Sequence, residues 1–535
     1  MAENFPSFPP IPWKHKETRK CEAADTLFFS LSSRPMTHFS WLDYTIFGFY
    51  LTASVGVGLF SARGAKSLGD YFLAGRGMNS ILVAMSILAA LFSGISYLAG
   101  PADVYKNGFG FAYVVLAFFI ATPFTAIWMM PKFYQSRFYT AYQFLEERFA
   151  LPVRLLASGL FIFRVALWLA AATYAPALAL EKVTGIPLWI TIVASGTLTT
   201  LYTALGGMRA VIWTDVMQLM VLFGGQLLIV MVALGKIPGG LGGVWDTAVT
   251  DGRMDISFSF SIAERVNIWS LLLAGAFLHL VQMGTDQVSV QRYLSAGSLK
   301  EAQRSLWIKL WFVLPVLVLF YGTGLVLYAF YKVHGDPLSA GLIAKEDQIL
   351  PYFVVTQLPA GLPGLLIAAI YAASMSTISA GLNSLASATV VDFKQRLSKA
   401  PEGTQAQQVG NARWVTVGYG ILVMALAFAV SIMPGNLVES VNTVIGLIGG
   451  PLLGLFFLGM FTTRADTRGA LLGSLAGFIG LLSIYLYQNG FITAVKPAPV
   501  VSFIWFSLFG CLITTGVGLL TSGRSSKPSS RQPWR

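Results

Sequence analysis

Residues 79–103 read NSILVAMSILAALFSGISYLAGPAD, and residues 266–291 read VNIWSLLLAGAFLHLVQMGTDQVSVQ. Each stretch is long and apolar enough for one bilayer crossing, which takes about 20 mostly apolar residues. Each is also interrupted. The first holds Ser93-Gly94 at mid-span, then Ser96, Tyr97 and Gly100-Pro101. The second holds His279 and Gln282, then Gly284-Thr285-Asp286-Gln287 near one end. Small polar residues and glycine let a helix unwind. The carbonyls so freed are tolerated at membrane depth only where they face protein or a cavity. Helix packing through small residues explains any single Gly or Ser equally well. Paired interruptions at matching places in two halves point instead to a binding site between the halves.

The rest of the chain continues the pattern. With the interrupted pair, thirteen apolar segments are read: roughly 40–62, 79–103, 110–131, 151–180, 187–206, 211–235, 266–291, 306–331, 351–390, 411–433, 437–461, 467–488 and 500–521. The segment 351–390 is long enough for its lower end to leave the bilayer. The interrupted helices open two groups of five, about 79–235 and 266–461. The expected fold is therefore an all-α membrane protein over 39–521, with a loop at 236–265 too short to be a domain and a basic tail at 522–535.

Composition agrees. Of 535 residues, 55% are hydrophobic and only 11% charged, against roughly 25% charged in soluble domains. An ordinary cytosolic enzyme, a disordered chain and a nucleic-acid binder are excluded. The expected partners are the lipid bilayer, a small molecule and an ion, with no nucleic acid. Two cysteines, four scattered histidines and the lack of any HExxH or GxxxxGK[ST] motif leave no metal-enzyme or nucleotide site.

The formal charge of +12 reads as positive-inside topology. Lys and Arg gather on the loops that share a side with the tail, among them Arg76, Arg137, Arg148, Arg154, Arg209, Arg292 and Lys309. The C-terminus is thus expected in the cytoplasm of a multi-pass protein of the cell membrane. Residues 1–38 conflict with this, carrying Lys14, Lys16, Arg19, Lys20 and Arg34 on the outer side. Their PSFPPIPW opening cannot pack a core. The extension reads as disordered, either native or the product of a start placed upstream of Met36.

Spacing also suggests ion chemistry. Ala373, Ser376 and Thr377 stand at i, i+3 and i+4, on one helical face. Two hydroxyls and a carbonyl there, joined by carbonyls near Ala89 and Phe92 of the facing unwound helix, make a neutral oxygen set. Such a set suits Na⁺, whereas Ca²⁺ or Mg²⁺ would want carboxylates or retained waters. Asp215 and Gln218 lie one turn apart in VIWTDVMQ. An intramembrane carboxylate is a functional candidate by default; the plainer reading of Asp215 is a headgroup-level partner of Arg209.

These residues sit in long stretches: DYFLAGRGM (70–78), YAPALAL (174–180), YTALGGMRAVIWTDVMQ (202–218), TDQVSVQRYLSAGS (285–298), AASMSTISAGLNSLA (372–386) and GPLLGLFFLGMF (450–461). Over most of its length the chain resembles the sodium:solute symporter family, which includes sodium/glucose, iodide, monocarboxylate and multivitamin cotransporters. The resemblance implies a leucine-transporter-type fold of two inverted five-helix repeats working by alternating access. It implies Na⁺ as the co-transported ion, with Ser376 and Thr377 matching hydroxyl ligands and Ala89, Phe92 and Ala373 matching carbonyl ligands. Asp215 matches the family aspartate after the GG turn, and Gln218 a helper residue of the iodide-like branch. It implies a substrate cavity lined by Ser96, Tyr97, His279, Gln282 and Asn442.

The departures favour one branch. Sugar carriers place Asn and His in the first broken helix, where Leu91 and Ser96 stand here. A polyol needs many donors and acceptors to replace its water. An organic anion of monocarboxylate or vitamin type is expected instead, drawn by His279, by Lys309 or by helix N-termini at the break. His279 is open to a plainer reading as a neutral histidine bonded to a neighbouring helix. The alternatives are a sugar or other neutral solute, proton coupling, and, from another class, an ion channel. A channel would show rings of like charge or a filter repeat, and a membrane enzyme a catalytic set; neither is visible.

Overall fold

The computed structural model describes residues 39–62, 64–398, 403–431, 437–491 and 500–523. The N-terminal extension 1–38 and all but the first two residues of the basic tail lie outside this set. Among the described residues the regular elements are helices, the main ones in the order α1 (Trp41–Ser61), α2 (Ser80–Leu91), α3 (Gly94–Asn107) and α4 (Phe109–Gln135). There follow α5 (Leu151–Thr184), α6 (Leu188–Leu234), α7 (Ser270–Thr285), α8 (Gln287–Leu294) and α9 (Leu299–His334). The chain closes with α10 (Leu362–Leu397), α11 (Gln405–Ser431), α12 (Leu437–Phe461), α13 (Thr467–Gln488) and α14 (Phe503–Thr521).

Among the described residues, ten helices are long and apolar enough to cross a membrane, or eleven when α2 and α3 count as one bent span. This differs from the thirteen segments read from sequence. Segments 187–206 and 211–235 follow one another within α6, as two helices that meet at Gly207, where the backbone is not helical (φ +58°, ψ −154°), and segment 266–291 is divided into the short α7 and α8. Segment 351–390 is also redrawn. Its first part is a separate helix, Ile349–Gln357, and α10 starts after a turn at Pro359 and Gly361, the latter with φ +95°.

Both interruptions are real breaks. Between α2 and α3 the chain turns extended at Phe92 (φ −98°, ψ 104°) and Ser93 (φ −89°, ψ 164°), and the axis bends by 60°. Ser93 restarts the helix, accepting from Ser96 N at 3.2 Å. Between α7 and α8, Asp286 is extended (φ −81°, ψ 119°) and caps α8, accepting from Val288 N at 3.0 Å. A capped restart satisfies N–H groups that lipid could not.

α10 is the centre of the bundle, with 94% of its most apolar 18 residues buried inside the protein. Its Ala, Ser and Gly residues let α2, α5 and α6 approach closely. The outer helices carry the opposite pattern. Phe49, Phe60, Ile81, Trp128, Phe163, Trp311 and Leu475 are exposed, as a lipid-facing surface requires.

α6 crosses α1 and the short helix Leu68–Leu73 at a kink. Gly207 holds φ +58°, and a Cβ there would lie 2.4 Å from the Tyr71 carbonyl oxygen. A side chain costs about 1–2 kcal/mol in the left-handed region alone. With the clash, Gly207→Ala is expected to destabilise by about 2–4 kcal/mol, measured as thermal unfolding in detergent. Gly48→Ala, whose Cβ would meet open space, is expected to leave stability unchanged.

Candidate functional site

The break between α2 and α3 turns backbone oxygens toward α10. Ser376 Oγ lies 3.2 Å from Ala89 O and 3.1 Å from Ala373 O. Thr377 Oγ1 lies 3.4 Å from Phe92 O and 3.0 Å from Ala373 O. All five residues are buried. Three carbonyls and two hydroxyls thus converge, and none carries formal charge. Helical spacing puts both hydroxyls on one face of α10, and the unwinding exposes the two α2 carbonyls to it.

Asp215 and Gln218 lie apart from this set; no hydrogen bond joins them to it among the described residues. Asp215 is not a headgroup-level residue, and its partner is not Arg209. It is fully buried and pairs with the equally buried Arg292 of α8 at 2.9 Å. Ser86 of α2 donates to the same Oδ2 at 2.5 Å and accepts from Arg292 Nε at 2.9 Å. The pair therefore binds α6, α8 and the unwound helix together. Asp215 Oδ1 and both amide atoms of Gln218 are buried without a hydrogen bond.

The solute-lining residues named from sequence separate into pairs. Ser96 Oγ lies 3.2 Å from Ser93 Oγ. Tyr97 packs edge-on against Phe320 of α9, centroids 5.3 Å apart, with its hydroxyl buried and unbonded. His279 turns toward α4. Its ring stacks on Phe118 at 3.6 Å, Nε2 lies 3.4 Å from Val114 O, and Nδ1 lies 3.3 Å from Gln282 Oε1. The residue of α7 that meets α3, α5 and α12 is the adjacent Leu278, in a cluster with Ala99, Trp168, Ala171, Ala175 and Ile445. The helical position of Asn442 on α12 is described, but its side chain is outside the described set.

Several buried charges were not anticipated. Arg164 of α5 pairs with Asp286 at 2.6 Å, and Arg154 pairs with Asp392 at 2.7 Å and Glu146 at 2.5 Å. Asp392 also accepts from Thr140 and Ser158. Lys309 of α9 is fully buried. Its ammonium lies 3.6 Å from the Phe118 ring centre and 3.5 Å from Met283 Sδ, with no acidic partner among the described residues. The sequence did hold one signal, the single Arg164 inside the apolar run FIFRVAL.

A model of the family described as "Sodium:solute symporter family" matches residues 71–477. The chain belongs to that family. It is 36% identical over 507 residues to a sodium-dependent multivitamin transporter of Oryctolagus cuniculus, covering 92% of this chain and 78% of that one. It is 34% identical over 508 residues to a sodium-coupled monocarboxylate transporter 2 of Danio rerio, covering 92% and 79%. A substrate-bound outward-open structure of a Na⁺-coupled sialic acid symporter superposes with a TM-score of 0.82 at 29% identity, covering 90% of this chain and 98% of that one. The fold is thus the leucine-transporter type with two five-helix repeats, and the protein is a membrane-embedded sodium-coupled symporter, not an enzyme or a channel.

Breaking the α6–α8 pair tests the geometry. Removing one partner of a buried ion pair costs about 3–5 kcal/mol. Asp215→Asn is expected to lower thermal stability by that order and to abolish uptake. The double change Asp215→Asn with Arg292→Gln is expected to recover stability in part, because no lone charge is left buried.

Proposed function

We propose that this symporter imports a small organic anion, of monocarboxylate or vitamin type, by alternating access, with sodium held by Ala89, Phe92, Ala373, Ser376 and Thr377. The observation that carries the ion assignment is the convergence of those five oxygens. Oxygens about 2.4 Å from a common hard cation stand roughly 3–4 Å from one another, which the spacings of 3.0–3.4 Å suit. Their neutrality favours a monovalent ion. When the ion enters, the hydroxyls turn their lone pairs to it in place of donating to the carbonyls. We assign Asp215 and Gln218 to the ion path, since they hold three unsatisfied buried atoms one turn apart.

The anion assignment rests on Lys309 and on the relatives. Lys309 of α9 is fully buried with no acidic partner among the described residues, so a solute carboxylate that reaches it brings the partner its ammonium lacks. The Leu278–Trp168–Ile445 cluster supplies apolar surface suited to a carbon skeleton and few groups for a polyol. The likeness to multivitamin and monocarboxylate transporters supports the same class. We propose further that Ser96, Tyr97, His279, Gln282 and Asn442 border the solute path, and that the C-terminus is cytoplasmic.

Uptake into vesicles provides the test. Ser376→Ala and Thr377→Ala are each expected to raise the sodium concentration for half-maximal uptake about tenfold, the equivalent of about 1.4 kcal/mol. Unchanged sodium dependence in both would overturn the assignment. Lys309→Met is expected to weaken competition by organic anions severalfold and to leave sodium dependence intact. Equal loss for neutral and anionic solutes would refute the charge argument.

A further inference from the structure

The end of the bundle that carries most of the arginines has a cavity of about 510 Å³, lined by Arg76, Tyr134, Gln135, Arg137 and the segment Gly297-Ser298-Leu299. Arg76 belongs to the turn after Leu68–Leu73, Arg137 follows α4, and Leu299 is the first residue of the 36-residue α9. The cavity therefore sits where three helix ends meet.

Its two guanidinium groups face no acid. Arg76 Nη2 donates to Phe138 O at 2.9 Å, and its guanidinium lies over the Tyr134 ring at 5.5 Å. Its Nη1 is buried without a hydrogen-bond partner. Arg137 is exposed and makes no ion pair among the described residues. The acids on adjoining turns are committed elsewhere. Asp70 accepts from the backbone N–H groups of Lys66 and Ser67, and Glu301 accepts from Ser80 N at 3.0 Å. Burial holds the Arg76 guanidinium below the ordinary arginine range; Tyr134 and Tyr139 oppose this, and the like charge of Arg137 adds a smaller push downward.

Two like charges side by side repel unless something negative lies between them. The fold nevertheless holds both on strained backbone. Arg76 and Arg137 each have φ +53°, and they are two of the three non-glycine residues with positive φ among those described. Strain of about 1–3 kcal/mol per residue persists where the surroundings impose it, and it concentrates at ligand clamps. The start of α9 adds backbone N–H groups and the positive end of a long helix dipole. Guanidinium forks match phosphate oxygens in pairs.

We propose that this cavity binds a phosphate group, held between Arg76 and Arg137 at the start of α9. The site lies outside the ion and solute path and makes no contact with the five-oxygen set. The phosphate could belong to an anionic lipid headgroup or be free in solution, and the two sources are separable.

The full chain is reconstituted in phosphatidylcholine vesicles and in equimolar phosphatidylcholine–phosphatidylglycerol vesicles, and its thermal unfolding is followed. In a second arm, phosphatidylcholine vesicles are titrated with inorganic phosphate against potassium chloride of matched ionic strength. The expected result is a rise in Tm in at least one arm. Arg137→Gln is expected to lose most of that rise and Arg137→Lys to keep a large part. In the phosphate arm the apparent affinity of Arg137→Gln falls about tenfold. A shift with phosphatidylglycerol alone assigns the site to a lipid headgroup, and a shift with inorganic phosphate assigns it to a free anion. Arg76→Gln risks the fold, since it removes the bond to Phe138 O. Arg137 is exposed and carries no such bond, so its variant decides. No shift in either arm, or equal shifts in wild type and Arg137→Gln, overturns the proposal.

Discussion

A backbone oxygen inside a membrane must find a partner in the protein, because the lipid offers none. At the bend between α2 and α3, the oxygen of Phe92 leaves the helical ladder at such a depth, and that of Ala89 keeps only a bond from Phe92 N at 3.2 Å. Leaving the Phe92 oxygen unpaired would cost several kcal/mol. From α10, Ser376 and Thr377 answer both oxygens. This demands that α10 lie flush against the break, and flush packing demands small side chains along α10. The burial of α10 and the approach of α5 and α6 to it go with that contact. The same hydroxyls that satisfy the carbonyls can rotate toward an ion. A requirement of folding in lipid thus becomes a binding set.

The charged residues obey a second constraint. A lone buried charge is expensive, and a paired one is tolerable. Asp215–Arg292 joins α6 to α8, Arg164–Asp286 joins α5 to the second break, and Arg154–Asp392 joins α5 to the end of α10. Gln287 adds bonds to Tyr139 O, Ala141 N and Ser387 Oγ, and Gln291 adds bonds to Phe72 O and Asn383 Oδ1. The three ion pairs and the bonds of Gln287 to Tyr139 and Ala141 cross from one five-helix group to the other. Any opening of that end must separate them, and water must enter to take their place. The pairs therefore make the closed arrangement discrete, as an alternating-access carrier needs it to be.

What could be read from the sequence was local. The i, i+3, i+4 register of Ala373, Ser376 and Thr377 is a property of any helix. Ser93-Gly94 points to a break once it is read with the matching interruption in the second group. Pairings across the fold were not legible. Arg292 lies 77 positions from Asp215, and a basic residue after a span reads as a loop charge. Arg154 and Lys309 were assigned to the loops for the same reason, yet both are buried. A one-residue difference in helical phase decides whether α7 shows its neighbours a histidine or a leucine. His279 turned to Val114 on α4, while Leu278 took the place between α3 and α12. The segment count of ten or eleven differs from thirteen because two helices meet at Gly207 without a loop between them and because the second broken span is divided into short pieces.

The two breaks solve one problem by different chemistry. At the second, Asp286 spends one carboxylate oxygen on Val288 N and the other on Arg164. Charge and hydrogen bonds are both satisfied there, and nothing remains for an ion to take up. At the first, the donors are hydroxyls at 3.0–3.4 Å, neutral and free to rotate. A carboxylate in that position would favour a divalent ion or a proton over Na⁺, and a guanidinium would exclude a cation. Neutral oxygens suit a monovalent ion. The asymmetry between the repeats is thus in keeping with the proposed ion site at α2 and α10, with α7 and α8 carrying paired charge.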